Sequence, residues 1–167
     1  MKIVFDLDGV LRDLCFYLNQ KFDVPYPRDW FWKHKGKDIF DWIKEDRYSC
    51  LLYAPITEYF LPISKTTEHF EIWTCQPEDW RKYTKLWIIA NIGDCTKHYL
   101  DTKQKRERLD REPNTYLVED SPNFSNYDRI ILIDRPYNRH VKASIRIKTP
   151  KELLPWLKKS EYAKKGD

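Results

Sequence analysis

The sequence predicts an α/β protein in which helices flank a parallel β-sheet. Short apolar runs typical of buried strands alternate along the chain with segments of helical periodicity. These runs are Ile3–Phe5, Phe70–Trp73, Thr115–Val118, Ile130–Ile133 and Ile145–Ile147. Polar residues follow several of the runs directly, as expected where an open parallel sheet presents its carboxyl edge to a ligand.

Helical segments fill the spaces between these strands. Arg12–Phe22 carries Leu14, Leu18 and Phe22 at intervals of four residues, the spacing of one helix face. The other predicted helices are Glu58–Thr67, which Pro62 interrupts, Glu78–Ile92, Lys103–Arg111 and Leu153–Lys159. Alternation of strands with helices favours right-handed crossovers between parallel strands.

Composition restricts the class of protein. Hydrophobic residues make up 41% of the 167 residues and charged residues 34%, so the chain can bury a core. The net charge of +4 suits an anionic ligand such as phosphate, but it is too small to identify a nucleic-acid-binding protein.

The cysteines and the apolar segments indicate a compartment. The four cysteines are far apart and none forms a Cys-x-x-Cys pair, which argues against a zinc site. The N-terminus lacks the pattern of a signal peptide, and no apolar stretch approaches the length of a membrane span. We therefore expect a cytoplasmic protein with free thiols and no membrane partner.

Residues 25–55 break the alternation of strands and helices. This segment begins at Pro25-Tyr26-Pro27 and is rich in Trp, Phe, Lys and Asp. We interpret it as a small, mostly helical cap inserted over the strand ends. The remaining core domain then comprises residues 1–24 and 56–160, and the charged residues 161–167 form a frayed tail.

The first strand leads into two closely spaced carboxylates. Asp6 and Asp8 are separated by one residue, and Gly9 follows with the freedom to turn sharply. Two carboxylates this close repel each other unless a cation lies between them or one keeps its proton. An ordinary strand followed by an Asp-Gly turn is the simpler interpretation of this motif alone.

Three further strands end in polar groups. Thr74 and Cys75 follow the second strand, Lys103 follows a possible strand near 98–100, and Glu119-Asp120 follows the next. Because the carboxyl ends of parallel strands are neighbours, we expect these groups to converge with Asp6 and Asp8.

The ordered set resembles the haloacid dehalogenase (HAD) superfamily, which consists mostly of phosphatases and phosphotransferases with a Rossmann-like core. Asp6-Leu7-Asp8-Gly9-Val10 matches its first motif, Thr74 the second, Lys103 the third and Glu119-Asp120 the fourth. The resemblance covers nearly the whole chain, and the order of the motifs carries more weight than any one of them.

Within that superfamily the chain is similar to the 5′(3′)-deoxyribonucleotidases. The insertion lies between the first and second motifs, as it does in those enzymes. Thr74-Cys75-Gln76-Pro77 resembles their threonine-then-proline loop, and Asp134-Arg135-Pro136-Tyr137-Asn138 resembles their Asp-x-Pro-Tyr-Asn turn. The chain carries Glu-Asp in the fourth motif, where those enzymes usually carry Asp-Asp.

The resemblance implies catalytic roles for the two aspartates of the first motif. Asp6 would attack phosphorus and become a phospho-aspartate. Asp8 would protonate the leaving oxygen and then take a proton from the attacking water. Lys103 and Thr74 would bind the phosphoryl group, helped by backbone N–H groups near Cys75.

The same resemblance implies a Mg²⁺ site. Its ligands would be the Asp6 carboxylate, the Asp8 backbone carbonyl and Asp120, with Glu119 binding the ion directly or through a bridging group. Mg²⁺ prefers oxygen ligands and would neutralise the phosphate that an anionic nucleophile must approach.

Two assignments remain open at the level of sequence. Lys105 competes with Lys103 for the phosphate-binding role, because both lie in one charged run. In the cap, Phe31, Trp32 and Trp42 could stack on a nucleobase, or they could form the apolar core that a small cap needs.

We therefore expect a Mg²⁺-dependent phosphomonoesterase that acts on a small phosphorylated substrate, most specifically a 5′(3′)-nucleotidase. A phosphatase of nucleic-acid ends is a related alternative. A non-catalytic nucleic-acid-binding module is an alternative from another class, suggested by the basic charge and the seven Trp residues. Composition does not predict an oligomeric state.

Overall fold

The computed structural model describes residues 1–164 and has a six-stranded, all-parallel sheet at its centre. The strands are β1 (Lys2–Phe5), β2 (Glu71–Thr74), β3 (Thr96–Tyr99), β4 (Thr115–Glu119), β5 (Ile130–Ile133) and β6 (Ile145–Ile147). Their order across the sheet is β3-β2-β1-β4-β5-β6, so the predicted parallel sheet is confirmed.

Seven α-helices are present among the described residues. They are α1 (Leu14–Phe22), α2 (Ile39–Glu45), α3 (Ser49–Tyr53), α4 (Phe60–Thr66), α5 (Arg81–Asn91), α6 (Thr102–Arg111) and α7 (Pro150–Lys158). Helix α1 begins later than predicted because the Asp13 side chain accepts the Phe16 N–H and caps the helix. Pro62 lies in the first turn of α4, where it interrupts no intrahelical hydrogen bond.

The strand order creates a switch point between β1 and β4. Phe5 is in register with Ile72 of β2 on one side and with Val118 of β4 on the other. The chain runs outward from β1 through β2 to β3, and then returns to β4 and continues outward to β6. This is the Rossmann-type order, in which ligands bind at the carboxyl ends of the two strands that flank the switch point.

Each face of the sheet is covered by its own apolar cluster. Phe5 points to one face and packs in a cluster with Trp87 of α5. Val4 points to the opposite face, where the cluster includes Leu109 of α6. All four side chains are almost completely buried, so the sheet is the rigid base on which the strand ends are placed.

The segment 25–55 packs on the core through a third apolar cluster. Trp42, Leu51 and other residues of the segment share this cluster with Leu14 of α1 and Trp80, which precedes α5. The buried Arg12 also donates a hydrogen bond of 2.7 Å from Nη1 to the Leu51 carbonyl. The helices α2 and α3 therefore have a core in common with α1.

The described part of the C-terminal tail is hydrogen-bonded, which differs from the frayed tail expected at 161–167. Glu161 N–H donates to the Met1 carbonyl at 2.8 Å, and Lys164 N–H donates to the Thr66 carbonyl at 2.8 Å. Residues 165–167 lie outside the described part of the chain. None of the helices within residues 1–164 is long and apolar enough to cross a lipid bilayer.

Candidate active site

Three buried carboxylates meet at the switch point. Asp6 directly follows β1, Glu119 ends β4 and Asp120 follows it, so the parallel pairing of the two strands brings all three to one edge. One carboxylate oxygen from each residue lies within 4.8 Å of those of the other two. The structure thus brings together Asp6, Glu119 and Asp120 of the predicted site.

Lys105 lies among these carboxylates. Its Nζ is 2.7 Å from Asp6 Oδ1 and 2.8 Å from Glu119 Oε2, and its side chain is 3% exposed. Lys105 lies one helical turn before Leu109 on the inner face of α6, and both residues are buried. The capping box of Asp101 and Gln104 at the start of α6 sets this register.

Lys103, expected to bind the phosphoryl group, does not reach the cluster. Its side chain is 84% exposed, and its Nζ lies 3.8 Å from Glu107 on the outer face of α6. The correction follows from helical geometry, because residues two positions apart point to different sides of a helix. Of the two lysines left open by the sequence, Lys105 is the one at the carboxylates.

Burial and mutual charge shift the pKa values of the residues in this cluster. Burial, together with the charge of Glu119, raises the pKa of Asp6 to about 7 against the opposing effect of Lys105. Burial and the charges of Glu119 and Asp6 raise the pKa of Asp120 well above its ordinary value. Burial alone would lower the pKa of Lys105, but its contacts with Asp6 and Glu119 raise it.

Gly9 permits the close approach of Asp120. Its φ is +83°, a conformation that side chains disfavour. A Cβ at this position would lie 2.0 Å from Asp120 Oδ2 and 2.9 Å from the Tyr137 hydroxyl. A glycine is therefore required at position 9, because the Asp120 side chain packs directly against it.

The loop after β5 forms hydrogen bonds to Asp120 and to Gly9. The Tyr137 hydroxyl donates to Asp120 Oδ2, and Asn138 Nδ2 donates to the Asp120 carbonyl at 2.7 Å. Arg135 from the same loop donates to the Gly9 carbonyl at 2.7 Å. Residues 134–138 form the turn for which the sequence predicted a resemblance but no role. In the structure this turn supports the carboxylate cluster.

Asp8 lies beside the cluster in a separate hydrogen-bond network. Arg12 donates to Asp8 Oδ1 at 2.7 Å and to Oδ2 at 3.1 Å, and Gln76 Nε2 donates to Oδ2 at 2.5 Å. Thr84 connects the two partners, since it accepts from Arg12 and donates to Gln76. Sequence reasoning missed Arg12 and Gln76. The spacing of four residues between Asp8 and Arg12 was a signal that could have suggested the pair.

A cavity of about 470 Å³ opens above the carboxylates. Asp6, Asp8, Glu119 and Asp120 border it on the core side, where Thr74, Cys75 and Lys105 also line it. Thr74 is buried at the end of β2, whereas Cys75 is exposed. Partial desolvation of the thiol and the nearby Asp6 carboxylate raise the pKa of Cys75 against the opposing charge of Lys105, so the thiol is not activated as a nucleophile.

The cap side of this cavity is aromatic. Trp30, Phe31, Trp32 and Phe40 line it, and the Phe31 side chain is 87% exposed. Trp42, which the sequence left open between a nucleobase-binding role and the core of the cap, is 4% exposed and does not line the cavity. It packs against Phe22 of α1 with ring centroids 5.5 Å apart, because the small insertion needs a large apolar side chain in its core.

The residues present fit a hard divalent cation. Asp6, Glu119 and Asp120 offer only carboxylate oxygens, the ligands that Mg²⁺ prefers. Gly9 leaves room for the Asp120 carboxylate, so the donor set is held by the packing. When all three carboxylates are ionised, Lys105 compensates one of the three negative charges. The two that remain would be balanced by the two positive charges of Mg²⁺.

No protein-family model and no curated protein matches this chain.

Proposed function

We propose that this protein is a Mg²⁺-dependent phosphomonoesterase with HAD-type chemistry, and that its substrates are nucleotides. The observation that carries the proposal is the buried group of Asp6, Glu119 and Asp120 with Lys105 inserted between two of its members. Keeping three carboxylates together in a buried position costs free energy, which an ordinary strand-to-turn connection would avoid.

The chemistry assigned to Asp6 is nucleophilic. Its carboxylate oxygen forms a bond to phosphorus while the ester P–O bond breaks, and the departing oxygen takes a proton from Asp8. Asp8 would carry this proton on Oδ1, which accepts a single hydrogen bond among the described residues. Water then attacks the phosphorus of the phospho-aspartate and loses a proton to Asp8. The Asp6–phosphorus bond breaks, which releases inorganic phosphate and regenerates both aspartates.

The remaining residues bind and orient. Lys105 offsets the charge of Asp6 and Glu119 and lies where it can also contact a phosphoryl oxygen. Thr74 offers a hydroxyl at the end of β2. Asp6, Glu119 and Asp120 would hold Mg²⁺, with the Asp8 carbonyl as the further ligand implied by the family. When bound, the ion supplies the positive charge that lets an anionic nucleophile approach a phosphate.

The aromatic lining supports a nucleotide rather than a sugar phosphate. Trp30 and Phe31 both line the cavity and are both exposed, so their rings are accessible to a flat ligand such as a nucleobase. Stacking of a nucleobase on such a ring contributes about 1–3 kcal/mol to binding. The cavity volume is within the range of small-molecule sites.

Phosphate release over a panel of nucleotides, sugar phosphates and phosphorylated oligonucleotides, with Mg²⁺ or with EDTA, tests the proposal. We expect turnover of nucleotides that EDTA abolishes. Asp6→Asn should lower kcat by about a thousandfold or more, because the nucleophile is lost. Asp110→Asn, which changes an exposed carboxylate on α6, is the matched control and should retain activity.

Two results would refute the proposal. Hydrolysis by Asp6→Asn at the rate of the parent would exclude the covalent route. Salt-sensitive oligonucleotide binding with no turnover of any panel member would instead support the non-catalytic binding module.

A further inference from the structure

A second cavity, of about 300 Å³, adjoins the active-site cavity. Phe40 and Cys75 line both cavities, so the two spaces lie side by side. The second cavity extends over the carboxyl end of β3, where Tyr99 and the start of α6 form its wall. Asp6, Asp8, Thr74 and Lys105, which have roles in the proposed reaction, are not among its lining residues.

Arg81 projects a cation into this second cavity. Its Cζ lies 4.7 Å from the centroid of the Tyr99 ring, and its Nε donates to the Gln76 carbonyl at 3.4 Å. Within residues 1–164, the two Nη groups of Arg81 have neither a hydrogen-bond partner nor an ion-pair partner. A guanidinium that is held by an aromatic ring and keeps its terminal donors free is well suited to bind a phosphate in a bidentate manner.

The other groups around Arg81 leave its charge largely uncompensated. Asp101 is the one acidic residue among the described lining residues, and its Oδ1 already accepts the Gln104 N–H at 2.8 Å as a helix cap. Phe40 is half exposed and offers a ring face at the border of the two cavities. The free face of the guanidinium or the Phe40 ring can each stack on a base.

We infer that the Arg81 cavity binds a second phosphate of the substrate together with its nucleoside, so that the preferred substrate is the phosphorylated end of an oligonucleotide. The terminal phosphate lies at Asp6, and the internucleotide phosphate lies at Arg81. This inference rests on the proposed phosphomonoesterase function. A mononucleotide that carries two separate phosphates could place its second phosphate at Arg81 in the same way. The test therefore compares such a bisphosphate with an oligonucleotide end.

The test compares kcat/KM for three substrates: a mononucleotide, a nucleoside 3′,5′-bisphosphate and a terminally phosphorylated dinucleotide. We expect the dinucleotide to be the best substrate, by about tenfold over the mononucleotide, the effect of one charge-assisted contact. Arg81→Gln should remove this advantage, because KM for the dinucleotide should rise about tenfold more than any change in KM for the mononucleotide. Lys85→Gln, which removes an exposed charge from the same helix, should leave the advantage intact.

Calorimetric titration with a dinucleoside monophosphate, which has the internucleotide phosphate but no terminal phosphate, gives a readout that does not depend on turnover. The parent should bind it about tenfold more tightly than Arg81→Gln does, with Arg81→Lys in between. If kcat/KM for the bisphosphate exceeds that for the mononucleotide by as much as kcat/KM for the dinucleotide does, the cavity recognises a phosphate alone. The oligonucleotide assignment is then wrong. Equal kcat/KM for all three substrates in the parent would overturn the inference but leave the phosphomonoesterase intact. Absence of turnover with every substrate would refute the proposed function itself.

Discussion

Lys105 illustrates at the scale of one residue how the site balances burial against charge. Removing an ammonium group from water costs several kcal/mol, and only close, hydrogen-bonded partners offset this cost. Asp6 and Glu119 are such partners, at 2.7 and 2.8 Å. Each of the three charges is therefore stabilised in its buried position by the opposite charge beside it.

Replacing Lys105 and, in a control variant, Lys103 compares the inner face of α6 with its outer face. Lys105→Met should lower the proposed phosphatase activity by about a hundredfold or more and decrease stability, because two buried carboxylates lose their cation. Lys103→Met removes the same charge from an exposed position and should stay near the parent in both respects. Phosphate-release kinetics and thermal unfolding of the two variants measure this difference. Equal loss of activity in both would contradict the assignment.

Tyr137 acts on the carboxylate cluster through a single hydrogen bond. Tyr137→Phe removes the donor to Asp120 Oδ2 but keeps the ring that packs beside Tyr26 and Trp30. Residues that orient a metal ligand typically contribute tenfold or more to metal affinity. We expect the Mg²⁺ concentration for half-maximal activity to rise about tenfold, with kcat at saturating Mg²⁺ much less affected. An unchanged Mg²⁺ dependence would show that Tyr137 only fills space.

At the scale of elements, β2 contributes to the site at one end and to stability at the other. Thr74 ends the strand at the cavity, whereas Glu71 begins it in a network with Lys2 at 2.7 Å and Arg108 at 3.0 Å. Burial raises the pKa of Glu71, but hydrogen bonds from Lys2 and Trp73 and the charges of Lys2 and Arg108 outweigh this effect. The pKa of Glu71 therefore lies below its ordinary value.

The lowered pKa of Glu71 predicts a specific loss of stability in acid. Because the folded state binds the Glu71 proton less readily than the unfolded state, the ion pairs stabilise the fold above the ordinary pKa of 4.5 and cease to do so as pH falls through the lowered value. Glu71→Gln should therefore be less stable than the parent at neutral pH, and the gap should narrow below about pH 4. Denaturant unfolding at several pH values measures the gap.

Glu107→Gln is the matched control for this pH series. Within residues 1–164, Glu107 forms an ion pair only with the exposed Lys103, at 3.8 Å, so its removal should not alter the pH dependence of the free energy of unfolding. A gap between Glu71→Gln and the parent that stays constant with pH would show that packing, and not charge, accounts for the role of Glu71.

At the scale of the whole molecule, the parallel sheet concentrates negative charge at one point. The ends of β1 and β4 place three carboxylates within 4.8 Å of one another, and one lysine compensates only part of their charge. Their mutual repulsion opposes folding in the absence of a metal ion. A cation that binds only the folded state would reverse this effect.

Mg²⁺ should therefore stabilise the fold. At a concentration about one hundred times Kd, binding contributes about 2.7 kcal/mol, which raises Tm by several degrees for a chain of this size. Asp120→Asn should show no such rise, yet it should be at least as stable as the parent in EDTA because a repelling charge is gone. Thermal unfolding with MgCl₂, and with NaCl at equal ionic strength, tests both expectations. A parent Tm that Mg²⁺ leaves unchanged would contradict the metal site.

The strands were predictable because a buried parallel strand needs a continuous apolar run. Ile3–Phe5 and Ile130–Ile133 were placed to within one residue. The orientation of α6 was less evident, although its lone apolar residue, Leu109, already indicated that Lys105 faces inward. Trp42 could not be separated from its neighbours by sequence, because an aromatic residue suits both the core of a small insertion and a ligand-binding surface.

The amino-acid sequence alone determined the alternation of strands and helices and the presence of carboxylates after β1 and β4, since both depend on local periodicity and composition. Only the tertiary structure decided which lysine meets them, and that Arg12, Gln76 and Tyr137 hold the aspartates in place. These contacts join residues far apart in the chain, with Tyr137 and Gly9 meeting across the sheet edge. Their distances depend on how strands and helices pack, which no local pattern specifies.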